Sequence, residues 1–512
     1  MSHVDMQDQL SLLLQELPQE RSYPQLAADA EQALQQAPQA SAALLRHFLQ
    51  ALLATVDPQR AMIHLLRYLD ATPTPAKLWE TWQQRPDTIA CVLTIFAASQ
   101  FLSSILWRRP SLLFWLVDGA LWAEPPTPEA LAAELGQMLR DDMDEADVTA
   151  CLRTFTQRHL LRIGARDLNQ VTDVETTTAD LSALADNVVQ AGLTACQQWL
   201  VARHGAPWYI DETGTERPCH FCVIGMGKLG GYELNFASDI DVMYVYTSYE
   251  GHTRGVLCDG VWQQQISNHE YFVALARRVT NVIGGKGPEG QAFRVDLRLR
   301  PDGTQGQLAL SLLSYEAYYA RFGQTWERMA LIKARPIAGD RELGEEFMAL
   351  VRPFSYQRHL DPSGLRHLHD NKLQLDGQIA QKDQTRTNVK LGKGGIREIE
   401  FYIQILQLVF GGQHSALQER HSLRALTLLR HYGFISAEIE TTLRQAYCYL
   451  RAVEHYVQME QGAQTHTLPH NEAQRLRLAR QFGYQTWESF YHDYLERTEA
   501  VHTLCMTAFD GV

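Results

Sequence analysis

Phe221 to Tyr246 reads FCVIGMGKLGGYELNFASDIDVMYVY. An apolar run, Phe221 to Ile224, breaks into a glycine-dense turn, Gly225-Met226-Gly227-Lys228-Leu229-Gly230-Gly231. After a short polar connection, Ser238-Asp239-Ile240-Asp241 opens a second apolar run, Val242 to Tyr246. Gly225, Gly227 and Gly230 satisfy G-x-G-x-x-G, which invites a dinucleotide-binding reading. Distance excludes it. A crossover between parallel strands needs about a dozen residues or more, usually a helix, and only eight separate Gly230 from Asp239. A phosphate loop of the Walker type fails too, because Lys228 is followed by Leu229 and not by Ser or Thr. What remains is a strand, a phosphate-sized glycine turn, and a D-x-D at the mouth of the next strand. Residues two apart on a strand point the same way, so Asp239 and Asp241 present carboxylates to one side. Such a pair repels unless a cation sits between, and hard oxygen ligands with substrate phosphates suit magnesium. A solvated D-x-D turn is the plainer alternative; the glycine turn before it and a third acid downstream argue for a nucleotidyltransferase-type site.

The third acid lies in Phe293–Pro301, FRVDLRLRP. Strict alternation predicts a strand with Val295, Leu297 and Leu299 on a core and Arg294, Asp296, Arg298 and Arg300 on the other face. A surface charge ladder has the same pattern. Beside a D-x-D turn, the lone Asp296 reads as the third metal-site carboxylate among phosphate-binding arginines. In Trp326–Arg335, WERMALIKAR, Lys333 has no helical neighbour of opposite charge three or four residues away. It either grips phosphate or joins a longer-range ion pair. Further on, Asn388–Phe401, NVKLGKGGIREIEF, is a glycine-rich, lysine-flanked turn opening a helix. That makes it either an anion site, through free backbone N–H groups and the helix dipole, or a hinge between bundle helices.

The rest reads as helix. Residues 1–145 form a helical region in which Leu10, Leu13, Leu14 and Leu17, then Ala42, Leu45, Phe48, Leu49 and Leu52, recur at helical spacing. Residues 146–345 form the catalytic domain. Within it Thr178 or Asp180 is expected to cap a long helix ended by Gly205, Ser267–Gly284 is an amphipathic helix, and Tyr315, Tyr318, Tyr319 and Phe322 are a core stripe. Residues 346–512 form a helical bundle, with helices over 367–382, 395–410, 415–432, 435–461 and 484–506. Arg162 and Arg166 read as a solvated or salt-bridged face. The net charge of −13 disfavours a nucleic-acid partner, which needs a basic footprint. Eight scattered cysteines suit reduced cytoplasmic thiols better than disulfides, and Cys219-His220-Phe221-Cys222 lacks the second pair a zinc site needs. No leader is expected at the N-terminus. Thr88–Trp107 carries no charge over 20 positions, yet its several hydroxyl and amide side chains point to buried helices and no membrane partner.

The phrase G-x-G-K-L-G-G-x-E-L-N-F-x-S-D-I-D resembles the signature of the glutamine synthetase adenylyltransferase/adenylyl-removing enzyme family. W-E-R-x-A-x-x-K-A-R, K-L-G-x-G-G-I-R-E-I-E-F and T-x-T-L-P, here at 326–335, 390–401 and 465–469, resemble its N-terminal, adenylyl-removing half. The resemblance runs from about residue 90 to the last helix. It implies an α+β, mostly helical protein with a polymerase-beta-like mixed sheet, flanked by an N-terminal helical region and a C-terminal helical bundle. It also implies removal of AMP from a tyrosine of glutamine synthetase by phosphorolysis, with Mg2+ as cofactor, nucleotide (ADP/ATP) and phosphate as ligands, and a PII-type signalling protein as second partner. Asp239, Asp241 and Asp296 then become the catalytic and metal-binding acids. Gly227, Lys228, Gly230, Gly231, Ser238, Arg298, Arg300, Lys333, Lys390, Lys393 and Arg397 become phosphate- or nucleotide-binding. The family's usual protein carries two such units; one G-K-L-G-G occurs here, so adenylylating activity is expected to be absent, in either a single-unit relative or a piece of the longer enzyme. Transfer of AMP or UMP in the forward direction, and a non-enzymatic module with a relict site, are the alternatives.

Overall fold

The computed structural model describes residues 25–36, 41–120, 122, 124–357 and 385–509. The architecture is mostly helical α+β, and the chain divides into two compact units. One comprises the described parts of Met1–Glu124, Arg158–Thr177 and Arg451–Glu496; the other comprises those of Pro125–Gln157, Thr178–Leu450 and Arg497–Val512.

The first unit is helical. Ser41 caps Ala42–Leu53, and Asp57 caps Pro58–Ala71, with Pro58 in the first helical position, where a missing N–H costs nothing. The uncharged run falls into two helices, Asp87–Ala98 and Gln100–Arg108, bent by 113° at Ser99. Ser99 Oγ accepts from the Leu102 N–H and donates to the Met459 carbonyl, which accounts for the break. Ile89, Val92, Leu93, Ile95 and Phe96 are fully buried in protein. Among the described residues no single helix is long and apolar enough to cross a membrane, although this bent pair has the length and composition together. The Leu10–Leu17 pattern lies outside the described residues. Arg162 and Arg166, expected on a solvated or salt-bridged face, are buried in this unit.

The second unit is built on short strands: β1 (Pro207–Ile210), β2 (Glu216–Pro218), β3 (Phe221–Gly225), β4 (Ile240–Tyr246), β5 (His252–Thr253), β6 (Val256–Cys258), β7 (Val261–Gln263), β8 (Val295–Asp296), β9 (Ala309–Ser311) and β10 (Arg335–Gly339). The central sheet runs β10-β3-β4-β8, with β9 also on β4. β3 pairs antiparallel with β4, Phe221 opposite Tyr246 and Gly225 opposite Val242. The short glycine connection therefore closes a hairpin-like return. β8 and β9 lie parallel to β4. Both faces are covered, which is why β3 and β4 are continuous apolar runs. On one face Cys222, Ile224, Met243 and Val245 pack with Tyr315 and Phe347 of the helices Leu312–Arg321 and Arg341–Ser355. On the other, Phe272 of the helix Asn268–Gly284 stacks on Phe221 and Tyr246. That helix starts in a capping box formed by Ser267 and Glu270.

Several sequence expectations shift. The long helix is Val174–His204, begun by the Asp173 carboxylate accepting the Thr176 N–H, so Thr178 and Asp180 lie inside it. Gly205, at φ +73°, ends it as expected. Phe322 is 62% exposed and leaves the core stripe, while Tyr315 and Tyr319 stay buried. The helix expected over 415–432 is a 3-10 turn, Ser415–Leu417, followed by Ser422–His431. The expected helix at 367–382 lies outside the described residues. The strand expected over 293–301 is only the two residues of β8. Asp296 Oδ1 accepts the Arg298 N–H at 2.8 Å, turning the chain out of the ladder.

In the first unit, His64 is buried with Nδ1 2.7 Å from the Phe96 carbonyl. Burial, helped by the nearby Arg60 charge, pushes its pKa from 6.5 to about 4. A folded pKa below the unfolded one means stability fully present above pH 6.5 and lost as pH falls toward 4. The wild type should lose about 2–3 kcal/mol over that window that a His64→Gln variant does not lose. Denaturant midpoints of the two proteins across the same pH range check this.

Candidate active site

Asp239 precedes β4 and Asp241 is its second residue, two apart and so on one side. The parallel register sets Asp241 opposite Asp296 of β8. Sheet pairing thus brings the third acid beside the D-x-D. Burial first, then the Asp296 charge, raises the Asp241 carboxyl to about 7, against an opposing pull from Lys390. Among the described residues no hydrogen-bond donor reaches the Asp241 carboxylate. Burial also pulls Asp296 upward, but side-chain and backbone hydrogen bonds from Arg298 outweigh it and hold the carboxyl below its ordinary value.

Two arginines occupy the other acids. Arg294 pairs through Nε with Asp239 Oδ1. Arg298 donates from Nε and Nη2 to both oxygens of Asp296, at 2.5–3.1 Å. With those carboxylates turned to arginines, no three Asp, Glu, His or Cys side chains among the described residues converge as a ready ligand set. The chemistry of the site still fits magnesium. Its donors are all carboxylate oxygens, and the half-buried Asp241 carboxyl has a close like charge and no donor, the situation a hard cation relieves. Arg294 was legible as part of the alternating ladder but was not singled out from the sequence.

The glycine turn is a one-turn helix, Gly227–Gly230, whose entry is fixed by the Met226 N–H donating to the Asp241 carbonyl. Gly227 adopts φ +54°, and a Cβ there would stand 2.7 Å from Asp241 Oδ2. Only a glycine lets the turn lie against that acid. Gly230 and Gly231 face inward. A Cβ on Gly230 would meet the Lys333 carbonyl at 1.7 Å, and one on Gly231 would meet the Glu233 carboxylate at 3.0 Å. Lys228 and Ser238 are half-buried on either side of this packing.

The remaining expected phosphate contacts are dispersed. Lys333 is buried, with Nζ 2.5 Å from Glu233 and 3.2 Å from Glu400. Burial lowers its pKa, but the two carboxylates outweigh that and raise it. The long-range ion pair, of the two sequence readings, is what the structure places here. Glu233 also accepts the Ser422 N–H at 2.6 Å. Arg300 is buried and donates to the carbonyls of Leu297, Thr304 and Gly306, holding its own loop together, so it does not share the face of Arg294 and Arg298. Lys393 pairs with Glu499, and Arg397 is exposed. The helix Ile396–Phe410 closes its own N-terminus: Glu398 accepts the Gly394 N–H, while the N–H groups of Ile396 and Arg397 donate to the carbonyls of Val389 and Lys390. The backbone donors an anion would need there are already used. Lys390 of this loop bears on the acids, through its charge on Asp241.

The family model described as glutamate-ammonia ligase adenylyltransferase matches residues 89–350. The chain belongs to that family. The match spans the three acids, the glycine turn and Lys333. A second model, described as GlnD PII-uridylyltransferase, matches residues 369–509 and spans the Lys390 loop. Among curated relatives, proteins named bifunctional glutamine synthetase adenylyltransferase/adenylyl-removing enzyme are 40% identical in Nitrosococcus oceani, 38% in Thioalkalivibrio sulfidiphilus and 36% in Pseudomonas putida. These alignments cover 79%, 78% and 78% of this chain and 40% of each relative. The chain thus matches about two-fifths of the length of these nucleotidyltransferase-family enzymes.

Replacing Lys333 leaves a buried carboxylate, Glu233, and a partly buried one, Glu400, without their cation. Lys333→Met should destabilise the protein by about 3–5 kcal/mol, and adding Glu233→Gln should restore part of that loss. Equilibrium denaturation of both variants measures it.

Proposed function

We propose that this chain is a nucleotidyltransferase unit that removes AMP from adenylylated glutamine synthetase by phosphorolysis. The observation carrying this reading is the register of Asp241 against Asp296, which sets a third carboxylate beside a D-x-D packed on a glycine turn. The mixed sheet is read as the polymerase-beta type, and the sequence wording favours the adenylyl-removing half. The relatives' printed name includes adenylyl removal, and the second family match supports a PII-type protein as partner.

In the reaction, an oxygen of inorganic phosphate attacks the phosphorus of the AMP–tyrosyl phosphodiester. A P–O–P bridge forms, the P–O bond to tyrosine breaks, the phosphate's proton is delivered to the leaving tyrosine oxygen, and ADP departs. The nucleophile is already anionic, so positioning and electrostatics carry the rate without a protein base. Magnesium held by Asp239, Asp241 and Asp296 would supply charge neutralisation at the phosphates. Lys390, Arg298, Arg294 and Lys228 are the side chains assigned to phosphate oxygens. Gly227 keeps the floor of the site low enough for the acid and the phosphate to meet.

The purified protein with AMP-modified glutamine synthetase, magnesium and phosphate should release ADP. Asp241→Asn and Asp296→Asn should each slow that release by about a hundredfold or more. An Asp296→Asn variant of unchanged rate would remove that residue from the site. The relatives' bifunctional name keeps a second reading, AMP transfer from ATP to unmodified glutamine synthetase. Transfer without ADP release from the modified enzyme would establish that direction instead.

A further inference from the structure

Asp239, Asp241 and Asp296 are matched by three cations, Arg294, Arg298 and Lys390, two through direct contacts and one through its charge. Counted as charges, these three acids and three cations cancel, while the Asp241 carboxylate itself still has no donor among the described residues. A divalent cation entering this balance would leave an excess of positive charge at half-buried groups. Cation binding through Asp296 also conflicts with Arg298, which engages both of its oxygens by side chain and one by backbone.

Arg298 and Arg294 are the more exposed members of these pairs. Their side chains are 72% and 48% exposed, whereas the acids they hold are 10% and 17% exposed. Exposed arginine pairs are weak and a carboxylate held by one is readily surrendered, whereas a fork of N–H donors matches phosphate oxygens as well as carboxylate. We propose that Arg294 and Arg298 are exchangeable partners of Asp239 and Asp296, displaced from the carboxylates by a divalent cation and transferred to phosphate oxygens, so that cation and phosphate bind cooperatively. The inference rests on the reading of the three acids as cation ligands. It assigns the arginines two successive partners and makes the coupling reciprocal: phosphate strengthens cation binding by the factor by which the cation strengthens phosphate binding.

The test is binding of Mn2+, a spectroscopic substitute for magnesium, followed by its paramagnetic resonance signal with and without inorganic phosphate. The proteins are the wild type, an Arg294→Ala/Arg298→Ala variant and an Asp239→Asn/Asp241→Asn variant. Both arginines are surface side chains, so their loss should leave the fold intact. Without phosphate, the arginine variant should bind Mn2+ about fivefold tighter than the wild type, because a competitor has been removed. Phosphate should tighten Mn2+ binding in the wild type and do little in the variant. Mn2+ affinity in the arginine variant that is unchanged or weaker, or equal tightening by phosphate in both proteins, would overturn the exchange while acid-dependent binding stands. Mn2+ binding that is absent, or is untouched by loss of the two acids, would overturn the cation reading and the exchange with it.

Discussion

A carboxylate half-buried at the mouth of a central strand is expensive unless charge is supplied to it, and the surroundings of Asp241 answer to that constraint. The Met226 N–H, at the entry of the glycine turn, donates to the Asp241 main-chain carbonyl and so ties the turn to the start of the strand. The turn must pass over the carboxylate, so position 227 must be a glycine with positive φ. The neighbouring strand carries its own acid in register, which sets the Asp296 carboxylate directly beside Asp241. Positive charge then has to come from elsewhere in the chain, and Lys390 supplies it from a loop some 150 residues downstream.

A second device holds that arrangement in place. Lys333, buried between Glu233 and Glu400, joins the connection after the glycine turn to the segment before β10 and to the helix following the Lys390 loop. Glu233 also takes the Ser422 N–H. A buried ion triad of this kind adds little net stability over an apolar core, but it is costly to leave half-made. It links the connection after the glycine turn with the helix that follows the Lys390 loop.

Much of this was legible because the sequence states it locally. The apolar runs of β3 and β4 are buried on both faces, so they read as strands without alternation. The eight-residue connection excluded a crossover, and the antiparallel pairing has that shape. What was not legible depended on side chains competing with the backbone. Alternation over 293–301 predicts a long strand, yet Asp296 captures the Arg298 N–H and Arg300 turns onto loop carbonyls. The K-L-G-K-G-G-I-R turn has the composition of an anion site, yet Glu398, in the first turn of the helix, reaches back to the Gly394 N–H. The sequence could show that Lys333 lacked a local partner; it could not show that Glu233 and Glu400, far apart in the chain, would both find it.

The reaction proposed for these acids is attack by phosphate on a protein-bound AMP. It is tested most directly by supplying radiolabelled inorganic phosphate with unlabelled AMP-modified glutamine synthetase and magnesium, then locating the label. The account predicts labelled ADP, with the label in its terminal phosphate, formed only when Asp239 and Asp241 are intact. Release of unlabelled AMP in place of labelled ADP would show water to be the nucleophile and contradict it.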